Sequence, residues 1–354
     1  MMRIGVDGRK IPVAQERGAI GRLDHARELG MEGVFFRTVL DMSPTLDAGE
    51  LREIRAHADA LGLYLETGLG KVNPYCLPEA PEVRATGDGD TLLGFVRMMR
   101  ACHDIGCREL WVGTANYKEQ YPGLLAYDRY RTDAPWVDQL RATAAFLACL
   151  APEARELGIH LNVETHEEIT SFEAVRLVEA VGPDVMGITF DVANGLQRGE
   201  SPVAAARRVA PYVRQTHIKD AVLAFAPDGS GLLGQLRPCG QGVVDFDVIL
   251  PLLAAHAPNL HLSIENPTAP GPGHDCIPLF DSRWQPSHPD LTVAETAEFI
   301  RLAVACERRF AAGERPDIVS YEAQPFGFAE EVAYILSSAD YLREAMARTG
   351  PAAA

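Results

Sequence analysis

The chain has 354 residues, 47% of them hydrophobic, and its 33 Lys+Arg against 49 Asp+Glu leave a formal net charge of −16. At roughly 100–200 residues per domain, that length suits two domains or one α/β barrel with additions, and it can bury a large core without staples. The acidic balance excludes a protein that grips nucleic-acid phosphates, and no apolar run approaches the roughly 20 residues of a membrane span. The opening MMRIGVDGRK carries no apolar signal segment. Cys76, Cys102, Cys107, Cys149, Cys239, Cys276 and Cys306 are scattered without a CxxC pair, as buried thiols in a reducing cytoplasm would be. The expectation is a cytoplasmic protein with neither membrane nor nucleic acid as partner.

A pattern recurs along the first half: a helical stretch, a glycine, then a short apolar run, as in ARELG-MEGVFF, ADALG-LYLETG, CHDIG-CRELWVG and ARELG-IHLNVE. Gly30, Gly62, Gly106, Gly158 and Gly182 each fall where a helix would end on a left-handed residue. The runs are too apolar for strands with one wet face and predict parallel strands buried on both sides. In chain order, strands are expected at 3–6, 33–36, 63–66, 109–112, 160–163, 187–190, 214–218 and 261–264. Helices are expected near 20–29, 47–61, 90–105, 136–157, 171–181, 201–210, 245–257 and 292–311, with Pro152 kinking or interrupting the fourth. Eight such units, with no GxGxxG turn after the first strand, predict a closed barrel, usually of roughly 250 residues. The fold class is α/β: a single (β/α)8 TIM barrel over residues 1–311 with a C-terminal helical extension over 312–354. Val332, Ile335, Leu336, Leu342 and Met346 repeat at helical spacing, so the extension should pack on the barrel or on a partner subunit in a homo-oligomer. The terminal Ala352–Ala354 is expected to fray.

In such barrels the active site lies at the C-terminal ends of the strands. The residues that end the eight apolar runs are Asp7, Arg37, Glu66, Gly113, Glu164, Asp191, His217 and Glu265. Five are carboxylates, and buried like charges require a cation or protons. The last four strands supply Glu164, Asp191, His217 and Glu265 in succession. Three carboxylates and one imidazole converging on one mouth make a site for one divalent metal ion, Mn²⁺ first, with Mg²⁺, Co²⁺ or Zn²⁺ as alternatives.

VETHEE, FDVANG, THIKD, GQGVVDF and SIENP, in this order, resemble the xylose-isomerase-like TIM barrels, the superfamily of sugar isomerases and epimerases related to endonuclease IV. The resemblance covers roughly residues 3–310 and implies that Glu164, Asp191, His217 and Glu265 bind the metal. It also implies that Glu164 and Glu265 are the catalytic pair, passing a proton through an enediolate. The nuclease branch needs more histidines at the mouth, and Asn194 stands three after Asp191 with no D-x-H beyond HIKD. Ketose 3-epimerases carry a histidine three after the metal aspartate and a glutamate six after the first metal glutamate, where this chain has Asn194 and Thr170. Their substrate contacts are therefore not reproduced.

Around this core the substrate-binding candidates are His166, Lys219, Glu66, Asn194 and Arg37. His166 lies two after Glu164, so an extended backbone aims both side chains the same way. Lys219 faces the substrate or pairs with Asp220 at the rim. Arg37 and Glu66 are expected to form a mutual ion pair, with Asp7 structural. Trp111 and Trp136 are expected to pack, though one could stack on a sugar face. No basic pocket of clustered Lys and Arg is visible near the mouth, so a phosphorylated substrate is not required, although Arg198 or Arg237 could hold one. The glycine-rich segment after His217 and the proline-rich segment after Glu265 read as long loops acting as lids. The function expected is a metal-dependent sugar isomerase or epimerase acting on a sugar or polyol-derived small molecule. A lyase or dehydratase with an inosose- or dehydroshikimate-type substrate is the alternative, and a non-catalytic sugar-binding barrel is third.

Overall fold

The computed structural model describes residues 2–118, 120, 121 and 123–349, so Ala352–Ala354 lies outside the described residues. In chain order the strands are β1 Arg3–Asp7, β2 Gly33–Phe35, β3 Tyr64–Lys71, β4 Glu109–Gly113, β5 His160–Glu164, β6 Met186–Asp191 and β7 Val213–Ile218. They continue with β8 Asp220–Phe225, β9 Leu232–Arg237, β10 His261–Ile264 and β11 His274–Ile277. β1 to β7 pair side by side in sequence, and β10 closes the ring between β7 and β1. Every pair in the ring is parallel, and the closing seam matches Arg3 with His261 through Val6 with Ile264. This is a TIM barrel, with helices around it and further helices at the C-terminal side. The strands are covered on both faces, as their unbroken apolar character requires; all six residues of β6 are buried.

Helices Trp136–Leu157 and Ser171–Val181 have the expected bounds. The second is started by a capping box between Thr170 and Glu173. Pro152 sits inside the first without ending it. The first helix of the chain begins earlier than expected, at Ala14, and bends at Gly18, whose φ of 61° and ψ of −178° are not helical. Gly30, Gly62, Gly106 and Gly158 have φ between 62° and 79°, whereas Gly182, at φ 127° and ψ 124°, is not left-handed helical.

One expectation about the surplus residues changes. The segments read as lids are ordered: β8 and β9 form an antiparallel hairpin, and β11 adds to β9 as its third strand. The hairpin turns through APDGSG, where Ala226 N donates to Gly231 O at 3.0 Å and Gly229 N to Ala226 O at 3.0 Å. The Asp-Gly pair between two apolar runs was a readable signal for it. At the C-terminal side, helix Val293–Ala311 packs on β8, while helix Phe328–Thr349 packs on helix Phe246–His256 and on β1 and β10. The latter buries Tyr334, Ile335, Ala339, Leu342 and Ala345, four of them in the same apolar core as the barrel. The C-terminal helices are thus part of the barrel's outer layer.

None of the seven cysteines is in a disulfide; five are buried as expected, while Cys149 and Cys276 are exposed. Among the described residues no helix is long and apolar enough to cross a membrane.

Candidate metal centre at the mouth of the barrel

β5 and β6 end on Glu164 and Asp191, His217 is the last residue but one of β7, and Glu265 follows β10 directly. The register sets Asp191 opposite His217 and Ser263 opposite His217, so neighbouring strands bring these ends to one level. One donor atom from each of Glu164, Asp191, His217 and Glu265 lies within 4.8 Å of the others, and none of the four is more than 6% exposed.

The supports of this cluster are specific. His217 Nδ1 lies 2.7 Å from Glu164 Oε1 and 3.6 Å from Glu265 Oε2, and Phe35 packs edge-on against the imidazole. Trp111 Nε1 donates to Glu164 Oε2 at 2.8 Å. Asp191 Oδ1 accepts from the backbone N–H of Ala193 and Asn194 at 3.0 and 2.8 Å. Arg37 Nη2 donates to Asp7 Oδ2 at 2.8 Å and to Glu265 Oε1 at 2.5 Å. Lys219 Nζ sits 3.0 Å from Asp191 Oδ2, 3.1 Å from Glu265 Oε2 and 3.1 Å from Asn194 Oδ1.

Charge and hydrogen bonding both remain incomplete. Asp7, Glu164, Asp191 and Glu265 are four buried carboxylates, against which Arg37 and Lys219 set two cations. A surplus of two negative charges buried in one cavity is costly, and it equals the charge of one divalent ion. Asp191 Oδ2, Glu265 Oε2 and His217 Nε2 are buried without a hydrogen bond. For the two carboxylate oxygens the ammonium of Lys219 is near enough for ion pairing but lies off hydrogen-bond alignment. Three oxygen donors and one imidazole, with open donor atoms and that charge deficit, fit a divalent metal. Burial lowers the His217 pKa but Glu164 outweighs it, so the imidazole is raised above its ordinary value. Burial pushes Glu164 and Glu265 up, yet His217 and His166 for the first, and Arg37 and Lys219 for the second, bring both below the ordinary value. Asp191 goes the other way, raised by burial and by the two glutamates against the pull of Lys219.

Of the sequence-derived residues, Arg37, Lys219 and Asn194 join this cluster. Glu66 does not: β3 runs on to Lys71, which leaves Glu66 inside the barrel, where its carboxylate meets His261 Nδ1 at 2.9 Å. The expected Arg37–Glu66 pair is therefore replaced by Arg37 with Asp7 and Glu265. Lys219 does not pair with Asp220, because Asp220 accepts four backbone N–H groups, from Ala221, Gly240, Gly242 and Val244, at 2.8–3.0 Å. Gly242 is needed there, since a Cβ would lie 2.2 Å from Ala221 O and from Asp220 Oδ1. His166 stands beside the cluster with Nδ1 2.5 Å from Glu168 Oε2.

Lys71, Arg9 and Lys118 were not singled out as site residues by the sequence, and Trp111 only as a packing residue that could stack on a sugar. With Arg37 and His166 these four line a cavity of about 460 Å³ next to the cluster. A basic pocket is thus present at the mouth, against expectation. Arg198 and Arg237 play no part in it: Arg198 is buried over Tyr127 and Trp284, and Arg237 over Tyr321. A larger groove of about 660 Å³ lies between the outer helices Ala48–Ala60 and Thr91–Asp104 and contains none of the metal-type residues.

Strand ends that present three carboxylates and an imidazole from one side of a parallel barrel define a TIM barrel whose mouth could hold a divalent metal. The chain belongs to the family described as Xylose isomerase-like TIM barrel, whose profile matches residues 23–302. Among curated relatives, Uncharacterized protein YihM of Escherichia coli is 32% identical over 124 residues, 35% of this chain, and the match spans only 37% of that protein. The 3-oxo-isoapionate decarboxylase of Pectobacterium atrosepticum is 24% identical over 249 residues, 70% of this chain and 78% of that protein. Among solved structures, D-psicose 3-epimerase of Clostridium cellulolyticum H10, described with D-tagatose, superposes with a TM-score of 0.61 at 13% identity, over 98% of this chain and 99% of that chain. At that identity the likeness is one of fold.

Proposed function

We propose that this chain is a divalent-metal-dependent sugar isomerase or epimerase that works through an enediolate, with Mn²⁺ as the preferred ion. The observation that carries the reading is the buried quartet of Glu164, Asp191, His217 and Glu265, with open donor atoms and more buried carboxylates than Arg37 and Lys219 offset. A bound ion would supply Lewis acidity to a carbonyl and its neighbouring hydroxyl, making the C–H between them acidic. Within the protein, Glu164 and Glu265 take and return that proton from the two sides of the substrate. Trp111 and His217 orient the first carboxylate, and Arg37 and Lys219 orient the second. General acid–base help of this kind contributes roughly 10²–10⁴-fold. A small-molecule sugar or polyol-derived substrate suits the size of the mouth cavity, and cysteines outside disulfides suit the cytoplasm.

A lyase is the second reading. It is favoured by the match to a decarboxylase over most of both chains, and by Lys219, an ammonium placed at the cluster where it can meet negative charge on a substrate or leaving group.

The test is C–H exchange in D₂O, followed by NMR over a panel of ketoses, inosose-type ketones and dehydroshikimate with Mn²⁺. Glu164→Gln and Glu265→Gln keep a side chain of equal size with one oxygen donor but remove the base. Both should lose exchange while elemental analysis still finds metal. Exchange near the wild-type rate in both variants would move the base to His166 or Lys219.

A further inference from the structure

The cavity beside the metal cluster has a charge opposite to that of the molecule. Arg9, Arg37, Lys71 and Lys118 line it, with Glu167 as the one acidic lining residue among the described residues, on a chain of net charge −16. Three of these cations are already engaged. Arg37 bonds Asp7 and Glu265, Arg9 forks onto Asp41 at 2.8 and 3.0 Å, and Lys118 Nζ lies 2.5 Å from Asp128 Oδ1. Lys71 differs. Its ammonium donates to the Ala115 carbonyl and lies 5.5 Å over the Trp111 ring, and among the described residues no carboxylate is within ion-pair distance of it. The buried Glu168 carboxylate feels the Lys71 charge from beyond ion-pair distance and is itself bonded by His166 and Thr114, so the half-buried ammonium keeps capacity for an anion.

The walls of the same cavity are tied to the metal-type residues. Trp111, which flanks Lys71, donates to Glu164, and Arg37 donates to Glu265. Trp111 also offers a flat apolar face for a carbon chain running between the two places. An occupant with an anionic end at Lys71 thus lies along the residues that position both proposed bases.

We propose that this pocket binds an anionic group of the substrate, a carboxylate or a phosphate, with Lys71 as its principal partner. The inference deepens the metal-dependent reading above, for it assigns a charged end to the substrate of that site. It departs from a neutral ketose, which would leave Lys71 unmatched.

The experiment is calorimetric titration of erythronate, erythritol 4-phosphate and the neutral erythritol into Mn²⁺-loaded protein and into protein treated with EDTA. The variants are Lys71→Met, which keeps the length without the charge, and Lys71→Arg, which keeps the charge. In the wild type, at least one charged probe should bind about tenfold or more tighter than erythritol in both metal states. The tighter of the two names the source, sugar acid or sugar phosphate. Lys71→Met should remove the preference with erythritol binding unchanged, and Lys71→Arg should restore it. Equal affinities for charged and neutral probes overturn the proposal, and so does a preference that survives Lys71→Met or vanishes on removing metal. A chain that takes up no metal yet keeps the preference sinks the metal reading and leaves this one standing.

Discussion

Two glutamate–histidine pairs lie inside this barrel. Glu66 Oε1 meets His261 Nδ1 at 2.9 Å, and Glu164 Oε1 meets His217 Nδ1 at 2.7 Å. Around the first, Tyr64 stacks on His261 with ring centroids 3.8 Å apart and its hydroxyl reaches Ser263 Oγ at 2.9 Å, which in turn contacts Glu66 Oε2. No buried polar atom of these four side chains lacks a partner. Around the second, two more carboxylates crowd in, and three donor atoms remain open. The residue types are the same in both places. Surplus charge and open atoms are what separate a ligand site from a structural plug.

The largest effect should follow from cutting that surplus. Asp191→Ala removes a metal-type oxygen, and Mn²⁺ affinity should fall more than about 100-fold, beyond the usual cost of losing a supporting contact. In thermal unfolding, the wild type at Mn²⁺ about 100 times its Kd should gain about 2.7 kcal/mol, and the variant less than about 0.4 kcal/mol. Glu66→Gln is the control in the other pair. It should lose about 1–3 kcal/mol of stability as partners go unsatisfied, with the Mn²⁺ gain intact. If Glu66→Gln abolishes the metal response, the two pairs are not the separate systems described.

Next in size is Trp111→Phe, which keeps an aromatic ring, though a smaller one, and deletes the N–H held by Glu164. Metal affinity or turnover should drop about 10–100-fold, measured by Mn²⁺ titration and by C–H exchange.

The smallest effect concerns a third histidine, one that faces cations instead of carboxylates. His288 stacks on Trp284, and burial, with Arg129 and Arg198 nearby, pushes its pKa down from 6.5 to about 2. It is neutral when folded, so its contribution is intact above about pH 6.5. As pH falls below that, the unfolded chain takes up the proton first, and stability drops by up to about 1.4 kcal/mol per pH unit. His288→Gln should flatten the dependence between pH 5 and 6.5 in urea unfolding; an unchanged slope would place the proton uptake elsewhere.

The four metal-type residues were legible because each ends a strand too apolar to stop on a charge by chance. Arg37, Lys219 and Asn194 followed from their places just after β2, two after His217 and three after Asp191. Glu66 misled for the same reason that Lys71 was missed. A strand read by hydrophobicity stops at its first charged residue, whereas β3 continues through TGLGK, and five residues of stagger separate the middle of the barrel from its mouth. The pairing of Asp7 with Arg37, and the packing of helix Phe328–Thr349 on β1 and β10, depend on contacts between segments far apart in sequence. No local pattern encodes those.

The seam that joins β1 to β10 also sets a waiting time. Arg3 and its partner His261 are 258 residues apart. At synthesis rates of about 5–20 residues per second, β1 emerges roughly 13–50 s before the strand that closes over it. During that interval it has β2 on one side and an open edge of unpaired N–H and C=O groups on the other, a surface that invites pairing with other chains. The ribosome's pace, and whatever shields a nascent edge, therefore bear on the yield of this barrel as much as the stability of the finished ring.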